Sequence, residues 1–98
     1  MAGLDEAAVA RRLADLPGWK IARGELSRSY KLDSFAFAIE FVRRIGELAE
    51  LANHHPTMEI RFDTVKVRLS TAEAGGLTER DFELAGRIDG LLEAEAGG

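Results

Sequence analysis

The sequence predicts an α+β fold in which a four-stranded, largely antiparallel sheet carries its helices on one face. Two observations account for most of that prediction: a hairpin pattern occurs twice, and one long helical pattern separates the two hairpins. A shorter helical pattern stands near each end of the chain, so the predicted order is α-β-β-α-β-β-α. Strands joined as hairpins pair antiparallel, and the apolar face of such a sheet has to be covered by helices.

Length and composition predict a single domain over residues 1–98, with an ordered core at about 4–94. The net charge of −4, with acids and bases interleaved, argues against a nucleic-acid partner, which would require a basic face. No apolar run approaches the roughly 20 residues of a membrane span. A signal-peptide profile is also missing, so we expect a cytoplasmic protein with no membrane partner. The chain has no cysteine, which excludes disulfides and thiolate metal sites.

The first helix is predicted over residues 5–15, where Asp5 suits the positive N-terminal end of a helix. Residues 19–23 and 26–32 then predict two strands joined by a tight turn. Their alternation is imperfect, because Arg28 is in phase with the apolar positions of its strand. This favours either an edge position or a bulge for the first hairpin.

The central helix is predicted to start after a cap at Asp33 or Ser34 and to end at about Ala52, because Pro56 disfavours helix in the residue before it. Its apolar residues cover about 200° of the helical circumference, whereas a helix lying on one sheet needs only about 100°. The excess width predicts a self-association surface, in which Gly46 permits close approach. The apolar residues are Phe35, Phe37, Ala38, Ile39, Phe41, Val42, Ile45, Leu48, Ala49 and Ala52.

The second hairpin has the most regular alternation in the chain, with a turn predicted at Asp63-Thr64. After it, Thr78-Glu79-Arg80-Asp81 resembles a capping box, and the last helix is predicted from about Glu79 to Glu93. The Gly97-Gly98 tail is expected to fray. The residues predicted to share one face of the two strands are Met58, Ile60 and Phe62 in the first and Val65, Val67, Leu69 and Thr71 in the second.

The two histidines of the chain are adjacent, in Glu50-Leu51-Ala52-Asn53-His54-His55-Pro56, at the predicted end of the central helix. One interpretation is a polar helix end, where imidazoles interact favourably with the last carbonyls. A metal site is disfavoured, because a catalytic zinc usually takes three protein ligands. The third interpretation is general acid–base catalysis near neutral pH. On a continuing helix Glu50 would share a face with His54 and could orient its ring, although an ordinary exposed glutamate fits the same spacing.

Other motifs indicate chemistry less clearly. No serine lies in a strand-to-helix elbow that would present a nucleophile. Gly75-Gly76 could bind an anion at the start of the last helix, but it lacks the further glycines and the lysine of a phosphate loop, so a simple turn is favoured. Glu73 could face a ligand or only water. The residues alone therefore indicate a small α+β domain with a candidate His/Glu acid–base site and no identified substrate.

Several motifs together resemble the pterin-4a-carbinolamine dehydratase family, over nearly the whole chain from Leu16-Pro17-Gly18-Trp19 to the last helix. The family's fold has the same α-β-β-α-β-β-α order, and its members are dimers or tetramers packed partly through the central helix. The motifs are Phe35-Ala36-Phe37, Glu50-x-x-x-His54-His55-Pro56, Phe62 at its expected distance, Ser70-Thr71-Ala72-Glu73 and Gly75-Gly76-Leu77-Thr78-Glu79-Arg80-Asp81.

The resemblance implies dehydration of a 4a-hydroxytetrahydropterin to quinonoid dihydropterin, which recycles the cofactor of aromatic amino acid hydroxylases and needs no metal or organic cofactor. By the family's pattern His54 is the acid, His55 binds the substrate and acts as base, and Glu50 is a supporting acid. Pro56, Thr71, Ala72 and Glu73 match positions that line the pterin pocket. A homodimer or homotetramer formed through the central helix and the sheet edge is expected.

Two positions depart from the family's pattern. A third histidine, thought to serve the other face of the pterin, is replaced by Ala72, and an aromatic residue after the His-His-Pro motif is replaced by Met58. Loss of a general acid typically lowers a rate by about 10²–10⁴-fold. One hypothesis is therefore a working dehydratase with reduced activity or activity on one 4a-epimer. The alternative is a degenerate dehydratase-like protein that acts as a protein-binding, assembly or coactivator module.

Overall fold

The elements follow one another in the predicted order. The computed structural model describes the backbone of residues 3–97 and the side chains of residues 3–92. Within this part of the chain the predicted fold class is confirmed: three helices and a four-stranded antiparallel sheet. The elements are α1 (Glu6–Ala14), β1 (Lys20–Ala22), β2 (Glu25–Lys31), α2 (Phe35–Ala52), β3 (Thr57–Arg61), β4 (Thr64–Leu69), a 3₁₀ turn (Ala72–Ala74) and α3 (Glu79–Gly97).

The sheet has the strand order β1-β2-β4-β3, so the two hairpins meet through their second strands. β1 and β3 form its edges, which confirms an edge position for half of the first hairpin. The paired residues run without a skipped position, so the predicted alternative of a bulge is wrong. Arg28 can occupy a position in phase with the apolar residues of β2 because its charge has partners there. Its guanidinium lies 4.6 Å from the centre of the Tyr30 ring and donates a hydrogen bond to Asp89 at 3.0 Å.

The core lies between the apolar face of the sheet and the two long helices. Four residues of α2, spaced three or four apart, turn inward: Ala38, Phe41, Ile45 and Ala49. They share the core with buried side chains of β2, β4 and α3, of which the largest fully buried ones are Leu26, Leu69, Leu84 and Ile88. This cluster fixes the end of α2 relative to the start of α3, where the candidate site lies.

The ends of the first two helices follow local chemistry. Asp5 caps α1 by accepting a hydrogen bond from the backbone N–H of Ala8 at 2.8 Å. Of the two predicted caps for α2 it is Ser34 that acts, through a hydrogen bond from the N–H of Phe37 at 3.1 Å. No helix within residues 3–97 is long and apolar enough to cross a membrane.

Two boundaries differ from the prediction. Arg61 pairs with Thr64, so the second hairpin turns at Phe62-Asp63, one residue earlier than predicted. Phe62 has φ 54° and is 72% exposed, so it does not share the inward face of its strand. The last helix continues to Gly97 instead of ending at Glu93, because residues 92–96, Leu-Glu-Ala-Glu-Ala, are all good helix formers. Of the tail expected to fray, Gly98 lies outside the described residues.

Candidate active site

Three segments meet at one corner of the molecule: the end of α2, the 3₁₀ turn and the start of α3. Asn53 ends α2 in the left-handed conformation, with φ 49° and ψ 45°, which asparagine tolerates better than most residues. The N–H of the following His54 returns to the carbonyl of Ala49 at 3.1 Å. This reversal directs the two histidines away from the helix axis, before β3 begins at Thr57.

His54 is buried, with 7% of its surface exposed, and it faces a carboxylate that is fully buried. Its Nε2 lies 2.6 Å from Oδ1 of Asp81. The other carboxylate oxygen, Oδ2, accepts the hydroxyl of Thr71 at 2.8 Å and the backbone N–H of Thr78 at 2.9 Å. The hydroxyl of Thr78 then donates to that of Thr71 at 2.9 Å, because Thr71 has used its own proton. A closed polar network therefore connects His54 to the turn that carries Ala72.

His55 has a different environment. Its side chain is 59% exposed, and its Nε2 makes a short hydrogen bond to the carboxylate of Glu50, which is 78% exposed. The expected pairing of Glu50 with His54 is therefore wrong. That pairing assumed a helix continuing through residue 54, whereas the left-handed turn at Asn53 moves His54 into the interior and leaves His55 beside Glu50.

Arg80 joins the helix end to the turn. Its Nη2 donates to the backbone carbonyl of Asn53 at 2.7 Å, and its Nη1 lies 3.5 Å from Oε1 of Glu73. Glu73, a predicted pocket residue, is thus held beside the histidine corner by the guanidinium of Arg80. Its carboxylate is exposed, so this ion pair is weak on its own and serves mainly to place the two segments side by side.

The remaining predicted site residues lie at the same corner. Thr71 is buried and belongs to the Asp81 network, and Pro56 is half-buried directly after His55. Ala72 begins the 3₁₀ turn with its side chain exposed. Alanine has no group that transfers a proton, so this position offers only a methyl surface to a ligand.

A cavity of about 220 Å³ opens next to His54. It lies between the end of α2 and α3 and is lined by Leu51, Ala52, His54, Arg80, Glu83, Leu84 and Arg87. A larger cavity of about 660 Å³ includes Arg28 and Asp89, but the polar groups there are engaged with each other: Asp89 accepts from Trp19, Arg28 and Tyr30. Among the described side chains, no group of three or more His, Cys, Asp or Glu residues could hold a metal ion.

Sequence reasoning missed the residue that holds His54. Asp81 stood out only as the last residue of a capping box, and its Oδ2 does perform that role by accepting from the N–H of Thr78. The contact of Oδ1 with His54 joins residues 27 positions apart, and no local pattern relates them. The role of Arg80 could not be predicted for the same reason, because the group it contacts is a backbone carbonyl in another segment.

Comparison with known proteins identifies the family. A sequence model described as "Pterin 4 alpha carbinolamine dehydratase" matches residues 2–91. A relative from Acidobacterium capsulatum, provisionally named a pterin-4-alpha-carbinolamine dehydratase, is 47% identical over 92 residues, which are 94% of this chain and 100% of the relative. A relative of the same provisional name from Herpetosiphon aurantiacus is 46% identical, over 93% of this chain and 95% of its own.

Solved structures agree with that result. The crystal structure of a transcriptional coactivator/pterin dehydratase from Brucella melitensis matches with a TM-score of 0.86 and 29% identity, over 90% of this chain and 96% of its own. A pterin dehydratase-like protein, identified as a RuBisCO assembly factor in the alpha-carboxysome, matches with a TM-score of 0.61 and 23% identity, over 74% of this chain and 84% of its own. At that identity the second likeness concerns the fold alone. The chain belongs to the pterin-4-alpha-carbinolamine dehydratase family.

Proposed function

We propose that this protein dehydrates a 4a-hydroxytetrahydropterin to the quinonoid dihydropterin, and so recycles the cofactor of aromatic amino acid hydroxylases. The observation that carries the proposal is the pair of adjacent imidazoles, each held by its own carboxylate: His54 by Asp81 and His55 by Glu50. A domain that needed only its fold would gain little from such a pair. A cytoplasmic location is part of the proposal.

The reaction needs an acid and a base at the same time. The 4a-hydroxyl leaves as water after taking a proton from the acid, and N5 loses its proton to the base as the double bond between C4a and N5 forms. The two transfers balance, so the enzyme is returned to its starting charge. A positioned acid or base typically contributes about 10²–10⁴-fold each, and an imidazole suits either role near neutral pH.

In this proposal His54 protonates the departing hydroxyl, and His55 binds the pterin and accepts the N5 proton. Glu50 supports His55 rather than His54, since that is the ring its carboxylate contacts. Pro56, Thr71, Ala72 and Glu73 complete the lining of the pterin site, and no metal or organic cofactor takes part.

Ala72 sets the expected limit of the activity. The family's third imidazole would serve the other face of the pterin, and a methyl group cannot replace it. We therefore propose reduced activity or activity restricted to one 4a-epimer. The test is an assay in which each epimer is supplied separately and its dehydration is compared with the spontaneous rate. Equal acceleration of both epimers would contradict the restriction to one face.

Substitutions at the histidine corner test whether its side chains carry the proposed dehydratase activity. His54→Ala and His55→Ala are each expected to remove most of the acceleration, and Glu50→Gln to lower it. The matched control is Glu47→Gln, since Glu47 is an exposed glutamate one turn earlier on α2 whose partner is Arg43. If His54→Ala retains the wild-type rate, His54 is not the acid.

A protein-binding module is the second candidate, because α2 leaves large apolar side chains in solvent. Phe35, Phe37, Ile39 and Leu51 are 50%, 53%, 45% and 82% exposed. Two similar structures carry the descriptions coactivator and assembly factor. This candidate predicts no acceleration of either epimer, together with loss of partner capture when the exposed face of α2 is changed.

We also propose a homodimer or homotetramer formed through α2 and the sheet edge. The same α2 side chains support it. Ile60 of β3 and Phe62 directly after β3 are exposed as well, so the edge we propose is the β3 edge of the sheet and not the β1 edge. A Cβ added at Gly46 would meet no atom within 4 Å, so the helix offers an open site for close approach. Phe37→Glu should lower the molar mass measured by sedimentation, while Ile21→Glu, at an exposed apolar residue of β1, should leave it unchanged.

A further inference from the structure

Asp81 is the most unusual charged residue of the described chain, since its side chain has no exposed surface at all. Carboxylates are almost never fully buried unless they are paired, because removing the charge from water is costly. Asp81 meets that condition with partners on both oxygens: two donors on Oδ2 and His54 on Oδ1. Capping α3 requires only one of these contacts, so the cap alone does not explain why a carboxylate faces His54.

We infer that Asp81 is a positioning residue that keeps a proton on Nε2 of His54 and so presents Nδ1 to the ligand. The hydroxyl of Thr71 and the N–H of Thr78 both donate to Oδ2, which is the arrangement of an ionised carboxylate. An ionised carboxylate can only accept hydrogen bonds. Nε2, at 2.6 Å from Oδ1, must therefore carry a hydrogen in the neutral ring as well as in the charged one.

The other ring nitrogen remains available. Nδ1 of His54 makes no hydrogen bond to any described residue, and no buried side-chain nitrogen or oxygen of the described residues is left without a partner. Nδ1 therefore reaches solvent. His54 lines the cavity between α2 and α3, where Arg80 and Arg87 are the neighbouring cations. The inference rests on the proposed function only for what Nδ1 then does. In the charged ring Nδ1 gives its proton to the departing hydroxyl, and the ring is left neutral with its remaining proton on Nε2, facing Asp81.

The substitution Asp81→Asn reverses this arrangement without changing the side chain's shape. The N–H of Thr78 needs an acceptor, so the amide oxygen of the new side chain must take the place of Oδ2. The amide NH₂ then faces His54 and donates to Nε2. The neutral ring can accept that bond only if its proton moves to Nδ1, which changes the atom facing the ligand from an acceptor into a donor. The charged ring, which is the form that acts as an acid, carries hydrogens on both nitrogens, so its Nε2–H would oppose the amide NH₂ and this form would be disfavoured. In serine proteases the equivalent change, at a histidine that acts first as a base, lowers kcat by about 10⁴-fold.

The experiment is ¹⁵N NMR of the histidine rings, recorded at a pH where the rings are neutral. The chain has two histidines, so spectra of the His55→Gln variant assign His54 directly. We expect a protonated Nε2 and an unprotonated Nδ1 in the wild type, and the reverse in Asp81→Asn. The matched control is Asp89→Asn. Asp89 is a second carboxylate of α3 that accepts several hydrogen bonds; it is partly buried and lies about 12 Å further along the helix axis. It should leave the tautomer of His54 unchanged.

The kinetic expectation for Asp81→Asn is a fall in kcat of about 10²–10⁴-fold with little change in KM, whereas Asp89→Asn should affect thermal stability alone. A neutral wild-type His54 with its proton on Nδ1 would overturn the inference. Because this result comes from the wild-type spectrum, it decides the question even if Asp81→Asn fails to fold. An inverted tautomer with unchanged kcat would overturn the part that concerns the reaction. Failure of the proposed function would show itself separately, as a wild-type protein with the expected tautomer that accelerates neither epimer.

Discussion

Replacing Ala72 by histidine would place a third imidazole at the corner, and we expect this to raise the activity. Ala72 is exposed at the start of the 3₁₀ turn, and surface substitutions usually change stability by less than about 0.5 kcal/mol. The preceding Thr71 reaches His54 through Asp81. A new general acid at this position is expected to contribute about 10²–10⁴-fold, or about 3–5 kcal/mol of activation free energy. The variant is therefore expected to stay folded under assay conditions, so that a change in rate can be assigned to the new imidazole.

The assay follows quinonoid dihydropterin formation by absorbance, with each 4a-epimer supplied separately. Ala72→His should accelerate the epimer that the wild type handles slowly and change the other one little. Ala72→Gln is the matched control, because glutamine has a similar reach and cannot act as an acid. If the histidine and glutamine variants give the same rates with both epimers, the explanation of this position as a lost acid is refuted.

Three further predictions concern the scaffold. Ile45→Ala removes a fully buried side chain and should lower the free energy of unfolding in urea by about 2–5 kcal/mol; a change below 1 kcal/mol would contradict the assigned core. Gly18→Ala places a Cβ at φ 95° and 2.8 Å from Cζ of Arg28, and should destabilise the fold by about 1–3 kcal/mol in a thermal melt. Burial, together with the hydrogen bond to Asp89, raises the pKa of Tyr30 above its ordinary value of 10.0. The unfolded chain therefore ionises this tyrosine at a lower pH than the folded chain does, so stability should be intact below about pH 10 and fall above it. Absorbance at about 295 nm should show this single tyrosine ionising only as the protein unfolds.

The elements could be predicted because each depends on signals a few residues long. Ser34 lies three residues before the N–H that it caps, and Pro56 limits the preceding helix through a local steric clash. The wrong boundaries have equally local causes. Phe62 continues an alternating pattern, yet the pairing of Arg61 with Thr64 requires the chain to reverse at Phe62 itself.

The partners of the site could not be predicted because they are set by packing between distant segments. The histidines, Glu50 and the turn residues lie at one corner, but the contacts between the histidines and the carboxylates differ from the expected ones. Helical spacing placed Glu50 beside His54, and the carboxylate that reaches His54 comes from the start of α3. Nothing in the local sequence of α3 distinguishes a capping carboxylate from one that also holds an imidazole.

Asn53 is the residue that gives the two histidines different environments. In a continuing helix His54 would lie one turn after Glu50, on the same face, and both imidazoles would point into solvent. The left-handed conformation at Asn53 instead directs one ring to a buried carboxylate and leaves the other beside an exposed one. Two imidazoles in the same environment would hold a proton equally readily. A dehydration instead needs one ring that gives a proton and another that takes one. The turn at Asn53 therefore provides, by backbone conformation alone, the difference between two identical side chains that the proposed reaction requires.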